Sequence, residues 1–173
     1  MRYQFALIIV FVFCFNMAFS QMKNATVKDP KLNNQEILIG YCDLKGLTAG
    51  VYGVYFESQY ELYTPAEKYI EKMRPVISNV DIVIVFGSWC SDSKIQVPRF
   101  YKVIDKAGFN DIHLKIIAVN RDKNGLSVNV SDKNIKLVPT FIVYQNGVEL
   151  GRIVETPKKS LEKDLAKIIG RAK

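Results

Sequence analysis

The stretch from Asp81 to Phe100 constrains the fold more than any other part of the chain. It opens with Ile82 to Phe86, a short and uninterrupted apolar run rich in β-branched residues, which predicts a buried central strand. A Gly-Ser pair, then Trp89 and Cys90, follow, and the pattern after them is helical. Backbone N–H groups of a first helical turn would point at the cysteine sulfur and favour its thiolate. The stretch therefore predicts a strand, a turn and a helix arranged around a reactive thiol.

The first twenty residues have the features of a secretory signal peptide. Arg2 supplies a positive charge, Phe5 to Val12 is apolar throughout, and Ala18-Phe19-Ser20 offers small residues where a signal peptidase reads them. We therefore expect cleavage of residues 1–20 before Gln21 and export to the periplasm or the extracellular space. The alternative is an uncleaved anchor, but the apolar run is shorter than the about 20 residues that span a bilayer. We expect no membrane span after cleavage.

The composition of the remaining chain predicts one globular domain with a full core. The 173 residues are 49% hydrophobic and 24% charged. Loss of Arg2 with the signal peptide lowers the net charge from +7 to +6. The basic residues are dispersed, apart from Lys158-Lys159 and the tail Arg171 to Lys173. This pattern indicates a solvated surface and predicts no nucleic-acid partner, and it leaves the oligomeric state open.

Cys42 and Cys90 are the two cysteines that remain after the predicted cleavage. Structural cysteines of exported proteins tend to pair, but these two lie in different predicted elements, so a bridge and a free reactive thiol both stay open. The single histidine, His113, falls in a predicted strand, which argues against Cys–His hydrolase chemistry. The cysteine and histidine spacings predict no metal site, and no phosphate-binding glycine motif occurs, so we expect no cofactor.

The part of the chain before the central stretch predicts a leader and an extension. Residues 21–36 are polar, with a proline and three asparagines, and predict a flexible leader. Residues 37–80 predict an N-terminal helical extension. It begins with a short apolar run at Ile37–Ile39 that is compatible with a strand. A helix with an aromatic core face is predicted over Thr48–Leu62. A second helix begins with a capping box at Thr64 and runs to about Val76.

The later elements alternate between helix and strand. We predict a helix after Cys90 that bends at Pro98, strands at His113–Val119, Thr140–Tyr144 and Val148–Val154, a polar loop at Asn120–Asn134, a hairpin turn at Asn146-Gly147, and a terminal helix at Pro157–Ile169. The early strands alternate with a helix and should pair in parallel, whereas the hairpin is antiparallel. The expected fold is α/β, a mixed sheet covered by helices on both faces.

This order of elements, with these residues, resembles the thioredoxin superfamily. Trp89-Cys90 stands at the end of the central strand, Pro98 follows the cysteine by eight residues, and Val138-Pro139-Thr140 opens the third strand. The resemblance covers about Asp81 to Ile169, so residues 81–173 are expected to form a thioredoxin-like domain.

The resemblance implies a thioredoxin-like mixed sheet flanked by helices, with Cys90 as the exposed nucleophile. It also implies a cis peptide bond before Pro139, which would expose the Val138 backbone to an extended substrate strand. Trp89, Val138, Pro139 and Thr140 would then contact the substrate.

Two departures from the family pattern change the chemistry that the resemblance implies. The family's Cys-x-x-Cys motif is Cys90-Ser91-Asp92-Ser93 here, and Ile84 stands where the family has a buried acid. Ser93 could donate a hydrogen bond to the Cys90 sulfur, but it cannot resolve a mixed disulfide. The resemblance therefore implies an exported monothiol protein, of oxidoreductase or isomerase type, whose partners are protein or small-molecule thiols and disulfides.

Two alternatives stay open. In the first, the chain is a non-catalytic binding module that keeps the fold and its groove while Cys90 is inert. In the second, Cys42 serves as a remote resolving thiol for the mixed disulfide at Cys90.

Overall fold

A six-stranded sheet runs through the computed structural model, which describes residues 22–172. The strands are β1 Ala25–Asp29, β2 Gln35–Cys42, β3 Asp81–Phe86, β4 Leu114–Ala118, β5 Thr140–Gln145 and β6 Val148–Val154. The helices are α1 Leu44–Leu47, α2 Gly50–Leu62, α3 Glu67–Met73, α4 Ser91–Lys106 and α5 Leu161–Ile169. The predicted signal peptide lies outside the described residues.

The strands are arranged in the order β1-β2-β4-β3-β5-β6, and β3 lies inside the sheet. Only β3 and β4 are parallel, with Ile84 opposite Ile116, and every other neighbouring pair is antiparallel. All residues of β3 after Asp81 are buried, which confirms the central strand that the apolar run predicted. The predicted mixed sheet flanked by helices is likewise confirmed.

The two faces of this sheet are covered in different ways. Because side chains alternate along a strand, Ile82, Ile84 and Phe86 point to one face and Val83 and Val85 to the other. We call the first the helix face, since the buried residues of all five helices pack there. We call the second the loop face, since the buried residues that pack on it from outside the sheet come from residues 119–138.

The prediction of helices on both faces is therefore wrong. Residues 120–134 carry no apolar repeat of helical spacing, and the structure has only the short 3₁₀ turn Ser131–Lys133 there. The loop face is closed by scattered apolar side chains instead, among them Val128, Val130 and Val138.

The prediction of a flexible leader over residues 21–36 is also wrong for its described part. Ala25–Asp29 pairs with β2, in register from Ala25 opposite Ile39 to Asp29 opposite Gln35. Two of the three asparagines that suggested disorder lie in the connecting turn, where Asn33 and Asn34 adopt positive φ angles of 51° and 60°. The Asn34 N–H donates to the Asp29 carbonyl over 3.0 Å, which closes that turn.

The predicted helices are present, but some of their ends differ. α2 begins at Gly50 rather than Thr48, and α3 begins at Glu67 with Ala66 at its N-cap, so the predicted capping box at Thr64 is wrong. A tertiary contact explains the difference, since the Ala66 N–H donates to the Glu162 carboxylate over 3.4 Å.

Glu162 is the buried polar centre of this corner of the helix face. It is 5% exposed, and it accepts hydrogen bonds of 2.7 Å from both the Tyr63 and the Ser160 hydroxyls. Burial acts to raise its pKa, but these hydrogen bonds outweigh burial and hold the pKa below its usual range. Glu162 therefore joins α5 to the segment that precedes α3.

Candidate functional site

Cys90 lies at the junction of β3 and α4, as the sequence predicted. It is the N-cap residue of α4, with an extended backbone, and its side chain is half-buried. The Cys90 N–H donates to the Gly87 carbonyl over 2.9 Å, which closes the turn between strand and helix. The Cys90 carbonyl accepts from the Lys94 N–H over 3.1 Å, the first bond of the helix. The thiol therefore stands at the positive end of the α4 dipole.

The structure brings Cys90 together with the predicted Val138–Pro139 segment. The peptide bond between Val138 and Pro139 is cis. The Cys90 thiol donates to the Val138 carbonyl, with Sγ and O separated by 3.3 Å. Thr140 is 1% exposed and donates its hydroxyl to the Leu137 carbonyl over 2.7 Å, so it supports this segment from within. The exposed side chain here belongs to Leu137, which the sequence did not single out.

Trp89 packs beside Cys90 at the rim of the loop face. Its indole N–H donates to the Val119 carbonyl over 2.8 Å. Its ring also lies close over Gly87, where an added Cβ would come within 2.5 Å of the Trp89 ring. Only glycine therefore fits at this position without moving the indole.

Arg121 and Asp29 complete the surroundings of Trp89, and sequence reasoning missed both. The guanidinium carbon of Arg121 lies 4.7 Å from the centre of the Trp89 ring, and its Nε donates to the Asp29 carboxylate over 2.9 Å. Arg121 could have been found, because β3 and β4 are parallel and the residues that follow them meet at one edge of the sheet. Asp29 could not, since it lies in the segment that was interpreted as a flexible leader.

Ser93 is completely buried beneath the turn, and its hydroxyl accepts from the Gly87 N–H over 3.3 Å. Among the hydrogen bonds of residues 22–172, none joins Ser93 to the Cys90 sulfur. The Ser93 carbonyl accepts from the Tyr52 hydroxyl over 3.0 Å. Burial, followed by the proximity of Cys42 and Cys90, raises the Tyr52 pKa well above its usual range, so this hydroxyl stays a neutral donor.

Ser88 is another residue that sequence reasoning passed over. It is 8% exposed, and its hydroxyl accepts from the Leu38 N–H of β2 over 2.9 Å. The turn that carries the thiol is thus fixed to β2 as well as to α4.

Cys42 lies on the helix face, away from this corner. It is 6% exposed, its thiol donates to the Gly40 carbonyl over 3.7 Å, and burial raises its pKa to about 12. It pairs with Ile116, which in turn pairs with Ile84, so two strand spacings, roughly 10 Å, separate it from β3. Both cysteines are free thiols.

His113 occupies the opposite end of the central strand from Cys90. Its Nδ1 lies 2.9 Å from a carboxylate oxygen of Asp81, the first residue of β3. The full length of β3 lies between His113 and the Cys90 thiol, so the two residues do not form a Cys–His pair in this structure. Within the described chain, no group of three or more His, Cys, Asp or Glu is placed to hold a metal ion, and no helix has the length and apolarity needed to cross a membrane.

A sequence model of the thioredoxin family matches residues 53–167, more than half of the chain. The chain belongs to the thioredoxin family. The match begins within α2 and therefore includes part of what the sequence suggested was an extension. Family membership places its chemistry, at the level of the family, in thiol–disulfide exchange.

The chain is similar to individual thioredoxins from several organisms. Thioredoxin H9 of Arabidopsis thaliana is 29% identical over 128 residues, which is 72% of this chain and 87% of the relative. Thioredoxin H2 of the same plant is 32% identical over 92 residues, covering 53% of this chain and 65% of the relative. The crystal structure of Fasciola hepatica thioredoxin is similar with a TM-score of 0.38 at 20% identity, covering 62% of this chain and 90% of that chain.

Proposed function

We propose that the chain is an exported protein that performs monothiol exchange through Cys90. The observation that carries the proposal is the half-buried Cys90 thiol at the first turn of α4, with a serine three residues later. The Ser93 hydroxyl is buried and bonded to the Gly87 amide, so it cannot take over the work of a second thiol. Export rests on the features of residues 1–20.

The proposed chemistry consists of two exchange steps. The Cys90 thiol gives its proton to solvent, and the thiolate attacks one sulfur of a substrate disulfide. A bond forms between Cys90 Sγ and that sulfur as the substrate S–S bond breaks, and the other substrate sulfur leaves as a thiolate that takes up a proton. An external thiolate then attacks the mixed disulfide and releases Cys90. The number of disulfide bonds is unchanged, so no further oxidant or reductant is consumed.

The surroundings of the thiol favour a disulfide carried by an extended peptide. The Val138 carbonyl lies 3.3 Å from Cys90 Sγ, so a substrate strand that pairs with this backbone would bring its sulfur to the nucleophile. Trp89, which is half-buried, and Leu137, which is exposed next to Val138, offer apolar surface near the thiol. Within residues 22–172 the other thiol, Cys42, is buried on the helix face, which supports resolution of the mixed disulfide by an external thiol.

Intact-mass measurement of adducts tests this proposal. The reduced protein is mixed with a peptide disulfide, and one adduct at Cys90 is expected that persists until an external thiol is added. Cys90→Ser should form no adduct. Ser93→Cys should release the peptide without external thiol, because the new sulfur stands one helical turn away. An unreactive Cys90 in the folded protein, or equal adduct formation by Cys90→Ser, would contradict the proposal. N-terminal sequencing of secreted protein should begin at Gln21.

One observation favours a non-catalytic binding module as the second candidate. The Cys90 thiol is engaged as a donor to the Val138 carbonyl, which a reactive thiolate could not be. A binding module predicts that Cys90→Ser captures the same partners with the same affinity as the wild-type protein. Loss of all partners in that variant would contradict it.

A further inference from the structure

An ion pair with a buried carboxylate connects the first strand of the sheet to the reactive corner. Asp29, the last residue of β1, is 3% exposed, whereas the Arg121 side chain is 32% exposed. Oδ2 accepts from Arg121 Nε and Oδ1 accepts from the Lys31 N–H, each over 2.9 Å. Loss of the arginine would leave the buried carboxylate without its charged partner, so Asp29 holds the near side of the Arg121 guanidinium in place.

The fixed guanidinium lies against the face of Trp89, 4.7 Å from the ring centre. The ring has two further constraints, namely the bond from its N–H to the Val119 carbonyl and its close approach to Gly87. A lysine could not reproduce the arrangement, because a planar guanidinium can stack on the ring while it donates Nε–H to the carboxylate. The indole next to Cys90 is thus contacted by Gly87, which follows β3, and by Val119 and Arg121, which follow β4, while Asp29 of β1 orients the arginine.

We propose that Arg121, oriented by Asp29, is a positioning residue for thiol exchange at Cys90. It holds the Trp89 indole beside the sulfur, so that a peptide disulfide reaches the thiolate in one orientation. The inference rests on the proposed function and deepens it. It assigns a role to the N-terminal hairpin, β1 and β2, that the resemblance did not include.

The test uses variants that avoid an unpaired buried charge. The double variant Asp29→Asn, Arg121→Met removes both charges together and keeps similar side-chain volumes. Arg121→Lys keeps the ion pair but loses planar stacking, and it serves if the double variant fails to fold. Lys102→Met is the matched control, because it removes a cation 4.8 Å from the Tyr60 ring, a contact that does not involve Trp89.

The first readout is spectroscopic, since Trp89 is the only tryptophan in the sequence. Its emission maximum and its quenching by acrylamide should change in the double variant, change less in Arg121→Lys, and stay unchanged in Lys102→Met. The second readout is the rate of adduct formation at Cys90. The rate with a peptide disulfide should fall about two- to fivefold in the double variant, the size of one cation–π contact. The rate with a small aromatic disulfide should fall less, because a small disulfide does not need the positioned Trp89 indole to orient it.

Two results would overturn this inference while leaving the proposed function standing. One is unchanged Trp89 emission and quenching in variants that fold and still form adducts, which would defeat the positioning role alone. The other is an equal loss of rate with the peptide and the small disulfide, which would indicate a general effect on the thiol. A wild-type Cys90 that reacts with neither disulfide would overturn the proposed function and this inference together.

Discussion

The helix face and the loop face of the sheet each contain one thiol, and the two thiols are in opposite situations. Cys42 is buried on the helix face, under regular helices whose side chains fill the space above the strands. Cys90 packs at the rim of the loop face, where an irregular segment covers the sheet and leaves the side chain half exposed. The exposure of each thiol therefore depends on what covers the sheet beside it: regular helices bury Cys42, and an irregular segment leaves Cys90 half exposed.

The loop face is ordered without helices because side chains supply its turns. The Asn120 carboxamide oxygen accepts from the backbone N–H groups of Asp122 and Asn124, over 3.0 and 2.9 Å. The Asn129 carboxamide does the same for Ser131 over 2.9 Å. Asparagine side chains can replace backbone partners in this way, so a polar segment can still form a fixed cover.

The largest contrast between the faces should appear in stability. Phe100 is fully buried on the helix face, and its ring stacks on Phe141 with centroids 4.1 Å apart. Phe100→Ala should lower the free energy of unfolding by about 3 to 5 kcal/mol. Val130→Ala on the loop face should lower it by about 1 to 2 kcal/mol. Urea unfolding monitored by circular dichroism measures both, and a Val130→Ala loss as large as that of Phe100→Ala would erase the contrast.

The two thiols should differ next in their reactivity. Burial holds the pKa of Cys42 at about 12, so almost none of it is thiolate near neutral pH. Alkylation of the folded protein should therefore modify Cys90 at least about 100-fold faster than Cys42. Modification of Cys42 should accelerate only as the pH approaches 12 or on unfolding. Mass spectrometry of the alkylated peptides reads both sites, and comparable rates in the folded protein would contradict the assigned burial.

A smaller effect on the free energy of unfolding is expected in acid, where the helix face should lose the contribution of Glu162. The folded-state pKa of Glu162 is lowered, so its carboxylate stabilises the protein above the ordinary value of about 4.3, and this contribution is lost as the pH falls through the folded-state pKa. Glu162→Ala also leaves the half-buried Tyr63 hydroxyl without its acceptor, at a cost of about 1 kcal/mol at neutral pH.

Unfolding free energies between pH 3 and 7 test this. The variant should show a flatter pH dependence than the wild-type protein, and Asp122→Asn, a change at an exposed carboxylate, serves as the control. Parallel curves for Glu162→Ala and the wild-type protein would show that Glu162 does not contribute.

The smallest effect is expected at the rim of the loop face. Gly87→Ala would place a Cβ within 2.5 Å of the Trp89 ring, so the indole must shift. We expect a loss of about 1 kcal/mol, at the low end for overpacking, together with a changed Trp89 emission maximum. Gly147→Ala, where an added Cβ meets nothing within 4 Å but the φ angle is 78°, is a control for strain alone. An unchanged emission maximum in Gly87→Ala would mean that the ring is not held against the turn.

The helix face was largely predictable from the sequence, and the loop face was not. The apolar run of β3 and the periodic patterns of α4 and α5 predict buried elements, because the buried face of a regular helix or strand requires apolar residues at a regular spacing. Cys90 was found from the junction of the apolar run and the helical pattern, and the Val138–Pro139 segment through the family resemblance; the structure brings the two together.

The rest depended on contacts between residues far apart in sequence. Asp29 and Arg121 are separated by 92 positions, and no local pattern marks their pairing. β1 was missed because its alternation is short and the asparagines of its turn also occur in disordered segments. The capping box failed for the same reason, since Ala66 pairs with Glu162, 96 positions later.

The pairing of β2 with β4 has a consequence for how the chain matures. The ribosome releases β1 and β2 first. β2 can pair with β4, its second neighbour in the sheet, only after β4 has been made, and Asp29 can bind Arg121 only after that. Contacts of such long sequence separation close late, because the loop between them must be ordered first. A newly made chain should thus expose Cys90 for a time before Asp29 holds Arg121 beside Trp89.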